Sequence, residues 1–399
     1  MSGDTTSNTA DDLASDKKLR LLFVVDSTFP TLGGAESQAR KLAISLRERG
    51  HDVDFVAPQV LVGQPLVDEI DGFRVRRIPY PHIKVIGSFM MLCGFARFLL
   101  KEGKEYDAIH VHITRLLAAV TAVLKPFVKR PVITKISGFF EFSDGILDES
   151  KRWLPVNFLV RRALRNVDYF QTISGQTREK LLAAGYSDAQ ISFVPNGIDT
   201  KSIDTSASDS KSSDVTVFGY CGRLRKIKGV HVLIDAFAQL VKNNPDRKLC
   251  LRLAGDGDEM DGLLAQSESL GIRDQVDFLG QVEDTAAAYD SFDFYVQPSF
   301  AEGLPNSVIE AMLAQLPVVA SDVGGNVDLV KPGDTGLLYP CGDYPDGNPT
   351  DLAACLQQYL DSADMTDELA ASALQLIRDN YSFETITDQL IDLYRGRPS

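Results

Sequence analysis

Apolar residues along this chain fall into short runs separated by stretches of helical periodicity, and the alternation is set out twice. Lys18-Leu19-Arg20-Leu21-Leu22-Phe23-Val24-Val25 is a nearly continuous apolar run suited to a strand buried on both faces. A turn containing glycine follows, and then apolar positions at helical spacing over Ala35–Arg49. Further β-type runs are Val53–Ala57, Phe73–Ile78, Ala108–Val111 and Val132–Lys135, with helical patterns between most of them. Strands alternating with helices predict βαβ units around a parallel sheet.

A break comes after Val194-Pro195-Asn196-Gly197-Ile198-Asp199. Residues Ser202 to Asp214 are almost wholly Ser, Asp, Thr and Lys, which supply no core and read as a surface loop or linker. The alternation then restarts with strands at Val215–Cys221, Leu249–Ala254, Val276–Leu279, Phe292–Val296 and Pro317–Ala320. Helices are expected at Val230–Val241, Met260–Leu270 and Asn306–Ala314. The organisation read from this is a disordered leader (residues 1–17), an N-terminal Rossmann-like domain (18–199), a linker (200–214) and a C-terminal Rossmann-like domain (215–380). The terminal helical stretch, about Phe383–Arg395, could belong to either half, and residues 383–399 are a candidate to complete the first.

Bulk numbers narrow the class. A chain of 399 residues exceeds one typical core, so two domains are the expectation. With 44% hydrophobic and 24% charged residues it reads as an ordinary globular protein. It has no apolar run of about 18 residues to span a bilayer. Met1–Lys18 has neither a basic start nor an apolar stretch and does not read as a signal peptide. The five cysteines form neither a CxxC pair nor a zinc pattern, which points to a reducing compartment, most simply the cytoplasm.

A net charge of −14 argues against nucleic acid as a partner. The charge is uneven, however: Tyr80 to Leu182 holds 16 Lys and Arg against 9 Asp and Glu. There the cations are interleaved with apolar residues, as in Phe127-Val128-Lys129-Arg130, Lys151-Arg152-Trp153-Leu154 and Phe158-Leu159-Val160-Arg161-Arg162. Such a pattern fits peripheral contact with the inner face of an anionic membrane, an anionic-acceptor site, or plain solvated helix faces.

The densest chemistry lies in Ser299-Phe300-Ala301-Glu302-Gly303-Leu304-Pro305-Asn306-Ser307-Val308-Ile309-Glu310. It follows a predicted strand. Gly303 permits close backbone approach, and Pro305 can be the first residue of a helix. A helix N-terminus at the carboxyl end of a strand is an anion site, because free N–H groups and the helix dipole favour negative charge. Glu302 before the helix and Glu310 one turn inside it would address different parts of one ligand, accepting hydrogen bonds from two sets of hydroxyls. Alternatives are a carboxylate that merely complements the helix dipole and a glycosidase pair, the second disfavoured by the phosphate-friendly surroundings.

Gly222-Arg223-Leu224-Arg225-Lys226-Ile227-Lys228-Gly229 joins another strand to its helix. Arg223 and Lys228 are placed where a diphosphate would lie and would neutralise it as a leaving group. The loop is neither a P-loop nor GxGxxG, so ATP hydrolysis and dinucleotide redox chemistry lose support. Gly33-Gly34 opens a helix after the first strand and could bring backbone N–H groups to a phosphate or sugar. Asp256-Gly257-Asp258 resembles a metal-binding DxD, but at the start of a helix Asp256 reads as an ordinary N-cap and no metal is expected.

Together these segments resemble glycosyltransferase family 4. The resemblance implies the GT-B fold, two Rossmann-like domains facing each other across a cleft, with acceptor on the N-terminal side and donor on the C-terminal side. It implies transfer of a sugar from a nucleotide-diphosphate sugar, with retention and without metal or other cofactor, to a saccharide or lipid-linked acceptor, in polysaccharide or glycolipid biosynthesis. Arg223 and Lys228 would bind the donor diphosphate, and Glu310 the ribose. Glu302 and the backbone of Gly303, Leu304, Pro305 and Asn306 would hold the sugar, with Gly222 in the diphosphate loop and Gly33-Gly34 closing over. Other readings are a non-catalytic nucleotide-sugar-binding subunit and a nucleotide-sugar epimerase of the same fold. Two departures stand out. A His common in the family after the strand Val132–Lys135 is here Ser137, for which Lys135, His110 or His112 are candidate substitutes, and a Glu often found after Gly324-Gly325 is Asp328.

Overall fold

A computed structural model describes residues 17–397 apart from 28, 31–33, 139, 144, 201–213 and 283. Most of the expected leader and linker therefore lies outside the described residues. The chain divides into two compact units, one of residues up to 172, 180–194 and 387–399, the other of 173–179 and 195–386. Passage into the second unit thus comes at Pro195, ahead of the Ser- and Asp-rich stretch. Residues 195–199 already pack with the second unit: Asn196 Nδ2 donates to Asn306 Oδ1 at 3.2 Å, and Ile198 bridges to Ser382.

The first unit is built on an eight-stranded sheet in the order β3-β4-β2-β1-β5-β6-β7-β8. Its strands are β1 (Arg20–Val24), β2 (Asp52–Pro58), β3 (Val67–Ile70), β4 (Phe73–Ile78), β5 (Ala108–Val111), β6 (Val132–Lys135), β7 (Tyr169–Thr172) and β8 (Ile191–Phe193). All described pairings are parallel except β3 with β4, an edge hairpin that the expectation of a parallel sheet did not include. Val67-Asp68-Glu69-Ile70 is half polar and largely exposed, and lacks the apolar run that marks the buried strands. Helices α1 (Gly34–Glu48), α2 (Lys84–Glu102), α3 (Leu116–Val128) and α4 (Pro155–Leu164) belong to this unit. Leu22, Val24, Ile109 and Val111 from the central strands meet Phe95, Leu99, Ala118 and Ala122 from α2 and α3 in one core.

The second unit carries a six-stranded, wholly parallel sheet in the order β11-β10-β9-β12-β13-β14. The strands are β9 (Val215–Cys221), β10 (Lys248–Ala254), β11 (Val276–Gly280), β12 (Phe294–Gln297), β13 (Val318–Ser321) and β14 (Leu337–Tyr339). Helix α5 (Gly175–Ala183) begins in this unit, which also holds α6 (Val230–Asn243), α7 (Met260–Ser269), α8 (Asn306–Leu313), α9 (Pro349–Asp361) and α10 (Ala363–Asn380). The last helix, α11 (Phe383–Tyr394), divides at Ile386, with later residues counted in the first unit. Both sheets are doubly wound. Strand order reverses at β1/β5 in one and at β9/β12 in the other, and ligands of such sheets bind at the carboxyl ends of strands beside the reversal.

Candidate active site

The segments after β9 and β12 meet at the reversal of the second sheet. Phe300 N donates to Ile227 O at 2.9 Å, tying the two loops together. Glycine lets them approach. Gly229 sits at φ 67°, and a Cβ there would lie 2.0 Å from the Pro298 carbonyl oxygen. Gly324, in the loop after β13, sits at φ 46°, where a Cβ would lie 1.9 Å from the carbonyl oxygen of Glu302. Both positions combine a left-handed backbone with backbone contact, so only glycine fits.

Within this frame Glu302 is buried. Its Oε1 accepts from Lys228 Nζ at 2.7 Å, Gln297 Nε2 at 2.7 Å and Ser299 Oγ at 2.6 Å. A buried carboxylate needs a counter-charge and hydrogen bonds, and Glu302 has both. Lys228 is therefore the partner of Glu302 here, where the two residue types had been read as holding different parts of a ligand. Burial and the nearby Glu302 charge push the Tyr220 phenol far above its ordinary value. The Arg223 guanidinium is exposed and has no ion-pair partner among the described residues. Its carbonyl accepts from Tyr220 OH at 3.1 Å, which fixes the backbone after Gly222.

Helix α8 begins at Asn306, with Pro305 as its N-cap rather than its first residue, in extended backbone and without a side-chain cap. Its opening N–H groups thus keep their capacity for an anion. The Asn306 and Ser307 side chains are engaged, the first by Asn196 and the second by donation to Gln297 Oε1 at 3.0 Å. Leu304 and Pro305 are buried and Gly303 is half-buried. Glu310 Oε2 accepts from Tyr289 OH at 2.9 Å, and that hydroxyl also reaches Ser307 O at 3.2 Å. Tyr289, Gln297 and Ser299 were not singled out in the sequence. The signal for the last two was available, as polar residues at the end of an apolar strand and just after it, within five positions of Glu302.

Two side readings change. Helix α7 starts at Met260, so Asp256 does not cap it; its Oδ1 accepts from Gly257 N at 2.7 Å in the preceding turn. Asp328 takes a structural part: its Oδ2 accepts from Gly175 N at 2.8 Å, at the first residue of α5.

On the first unit, Gly34 opens α1, while Gly33 lies outside the described residues. His110 and His112 are each 1% exposed and stack with ring centroids 4.2 Å apart. His110 Nδ1 is 2.8 Å from Tyr394 OH. Burial lowers His110 to about 3, and the Lys135 charge adds to this. His112 is pushed well below its ordinary value by burial, then by His110 and Lys135. The pair is thus a neutral, interior stack, not a surface histidine set. Lys135 is buried and lowered to about 8 by burial, opposed by Glu141. Ser137 donates twice to Glu141 Oε1, from N at 2.9 Å and from Oγ at 2.6 Å. Glu141 thus organises the position after β6, and sequence gave no sign of it because it enters from the next turn. Asp26, two residues past β1, is raised to about 6 by burial against the opposing charge of Arg115.

Comparison with known proteins gives this arrangement a family. Residues 33–197 match the family described as Glycosyl transferase 4-like domain, and residues 215–362 the one described as Glycosyl transferases group 1. The chain is 28% identical over 333 residues to a GDP-mannose-dependent alpha-mannosyltransferase of Mycolicibacterium smegmatis, covering 80% of this chain and 84% of that protein. It is 27% identical over 400 residues to a D-inositol 3-phosphate glycosyltransferase of Corynebacterium urealyticum, covering 92% and 91%. In fold it is similar to the crystal structure of Anabaena HepE in complex with UDP, with a TM-score of 0.76 and 22% identity over 95% of this chain and 100% of that one. With two doubly wound sheets and both domain matches in place, the chain belongs to glycosyltransferase family 4, has the GT-B fold, and is a glycosyltransferase.

Proposed function

We propose that the chain moves a sugar from a nucleotide-diphosphate sugar to a saccharide or lipid-linked acceptor, with retention and without a metal ion, in polysaccharide or glycolipid synthesis. The observation that carries this reading is the Lys228–Glu302 pair set beside the uncapped start of α8, with Arg223 exposed on the neighbouring loop. Lys228 and Arg223 supply positive charge where a diphosphate departs, and such preorganised charge stabilises a leaving group. Glu302, pinned by three donors, and the backbone from Gly303 to Asn306 orient the sugar hydroxyls. Glu310 receives the ribose hydroxyls, its orientation fixed by Tyr289.

On this reading the acceptor proton is taken by the departing diphosphate, on the face where the acceptor hydroxyl enters. That route delivers retained configuration. The test is to incubate the protein with a panel of nucleotide sugars and with saccharide and lipid-linked acceptors. Nucleotide release is then followed, and the anomeric configuration of the product is read by NMR. Acceptor-dependent release, a retained product and full rate in EDTA are expected. An inverted product, or loss of turnover in EDTA restored by a divalent cation, would overturn the mechanism.

A further inference from the structure

Strand β12 ends in a residue that packing alone does not require. Tyr295 and Val296 are buried, as suits a strand in the middle of the sheet, and Gln297 follows them with 2% exposure. An interior amide costs free energy unless its polar atoms are bonded, and an apolar side chain of similar size would serve the core as well. Gln297 is bonded at each position that an amide offers. Its Oε1 accepts from Tyr295 OH at 2.6 Å and from Ser307 Oγ at 3.0 Å. Its Nε2 donates to Glu302 Oε1 at 2.7 Å and to Ser299 Oγ at 2.8 Å. The orientation is forced, because a carboxylate only accepts and so must face the nitrogen.

The amide nitrogen acts on Glu302 twice. It meets Oε1 directly, and it fixes Ser299, whose hydroxyl donates to that same oxygen at 2.6 Å. Lys228 completes the set on Oε1 at 2.7 Å. Every donor to this carboxylate among the described residues therefore meets one oxygen, and Oε2 is left as the free acceptor. The carbonyl end of Gln297 faces the side chain of Ser307, the second residue of α8. Glu310, farther along that helix, is held separately by Tyr289 OH, which touches the backbone carbonyl of Ser307 and not its hydroxyl.

We propose that Gln297 is the positioning residue of the sugar subsite: by gathering the donors on Glu302 Oε1, it aims Oε2 at a hydroxyl of the transferred sugar. It touches no substrate and acts through Glu302. On the transfer reading proposed above, on which this rests, Glu302 meets the sugar and Glu310 the ribose. Loss of the amide then misaims the carboxylate at the sugar and leaves the nucleoside end in place. Turnover suffers and nucleotide binding does not, which separates this role from a purely structural one.

The test uses the full chain. Gln297→Leu keeps a buried side chain of similar size and removes the amide. Its kcat is expected about 10- to 100-fold below the parent's, the scale of a misplaced group. Its Kd for UDP or GDP, whichever the parent binds, stays within about twofold. A kcat within about twofold of the parent's, or a Kd that rises as much as kcat falls, overturns the proposal. A second comparison needs no donor. Gln297→Glu sets two buried carboxyl groups against each other and lowers Tm by several degrees. Adding Glu302→Gln exchanges donor and acceptor across the same contact, and restores most of that loss without restoring the rate. An exchanged variant that melts no higher than Gln297→Glu alone shows that the amide does not hold Glu302, and this too overturns the proposal. Failure of the parent to release nucleotide from any sugar donor counts instead against the transfer reading, and the melting comparison still decides the contact.

Discussion

Lys228 Nζ lies 2.7 Å from Glu302 Oε1, across 74 positions of sequence, so the cation proposed to meet a diphosphate is held in place by the carboxylate proposed to meet the sugar. The two are one unit. On the proposed reading, each substitution at either residue acts on both its neighbour and the donor.

Lys228→Ala is expected to lower kcat/KM at least about 100-fold, the scale of losing one preorganised charge at a leaving group. It also leaves Glu302 buried with only neutral donors, costing about 1–3 kcal/mol of stability. Adding Glu302→Gln recovers the stability and not the rate. Denaturant unfolding and initial rates on the single and double variants check this; a double variant no more stable than Lys228→Ala counts against the pairing.

Tyr289→Phe removes the donor to Glu310 Oε2. The expected result is a several-fold rise in KM for the nucleotide donor with kcat within about twofold, and a loss of about 1 kcal/mol in stability. Steady-state kinetics with donor varied at saturating acceptor separate the two; an unchanged KM would show that this orientation does not matter.

Gly324→Ala places a methyl group into the Glu302 carbonyl at a left-handed backbone. Overpacking against backbone costs about 1–3 kcal/mol in addition to the strain of the positive φ. A Tm several degrees lower and rates reduced beyond about 100-fold are expected, whereas Gly262→Ala, with open space around it, leaves both near the parent values.

The buried histidines set an acid limit. His110, lowered to about 3 from 6.5, and His112, lowered well below its ordinary value, are neutral when folded and take up protons on unfolding. Their contribution to stability is complete above pH 6.5 and is lost as pH falls from there toward 3. His112 has no hydrogen-bond partner on either ring nitrogen among the described residues, so His112→Phe forfeits no bond. Melting curves from pH 7 to 4 should show a shallower acid decline in this variant, and a slope equal to the parent's would reject the assignment.

Strand positions were legible wherever an apolar run had to be buried on both faces: β5, β6 and β9 begin and end where the pattern places them. Strands β3, β7, β8 and β14 were not, β3 and β7 for their polar content and β8 and β14 for their length of three residues. Glu302, Arg223 and Lys228 could be picked out because strand, glycine and helix start follow one another locally. Which group pairs with which could not, since the Lys228–Glu302 and Gly175–Asp328 contacts join residues 74 and 153 positions apart. Burial of His110 and His112 was hidden for a similar reason, because the hydroxyl that meets His110 arrives from position 394.

That last contact bears on how the protein is made. Tyr394 reaches His110, Thr387 Oγ1 lies 2.9 Å from Ser45 Oγ, and Asp388 pairs with Arg49 at 3.2 Å, all inside the first unit. The ribosome therefore delivers this piece of the first unit only after the whole second unit has emerged. All eight strands of the N-terminal sheet are made by Phe193, and the helix that completes their unit follows only after residue 386. A chain truncated shortly before Phe383 leaves a permanently open core in the half that was made first, and quality-control machinery would meet it there.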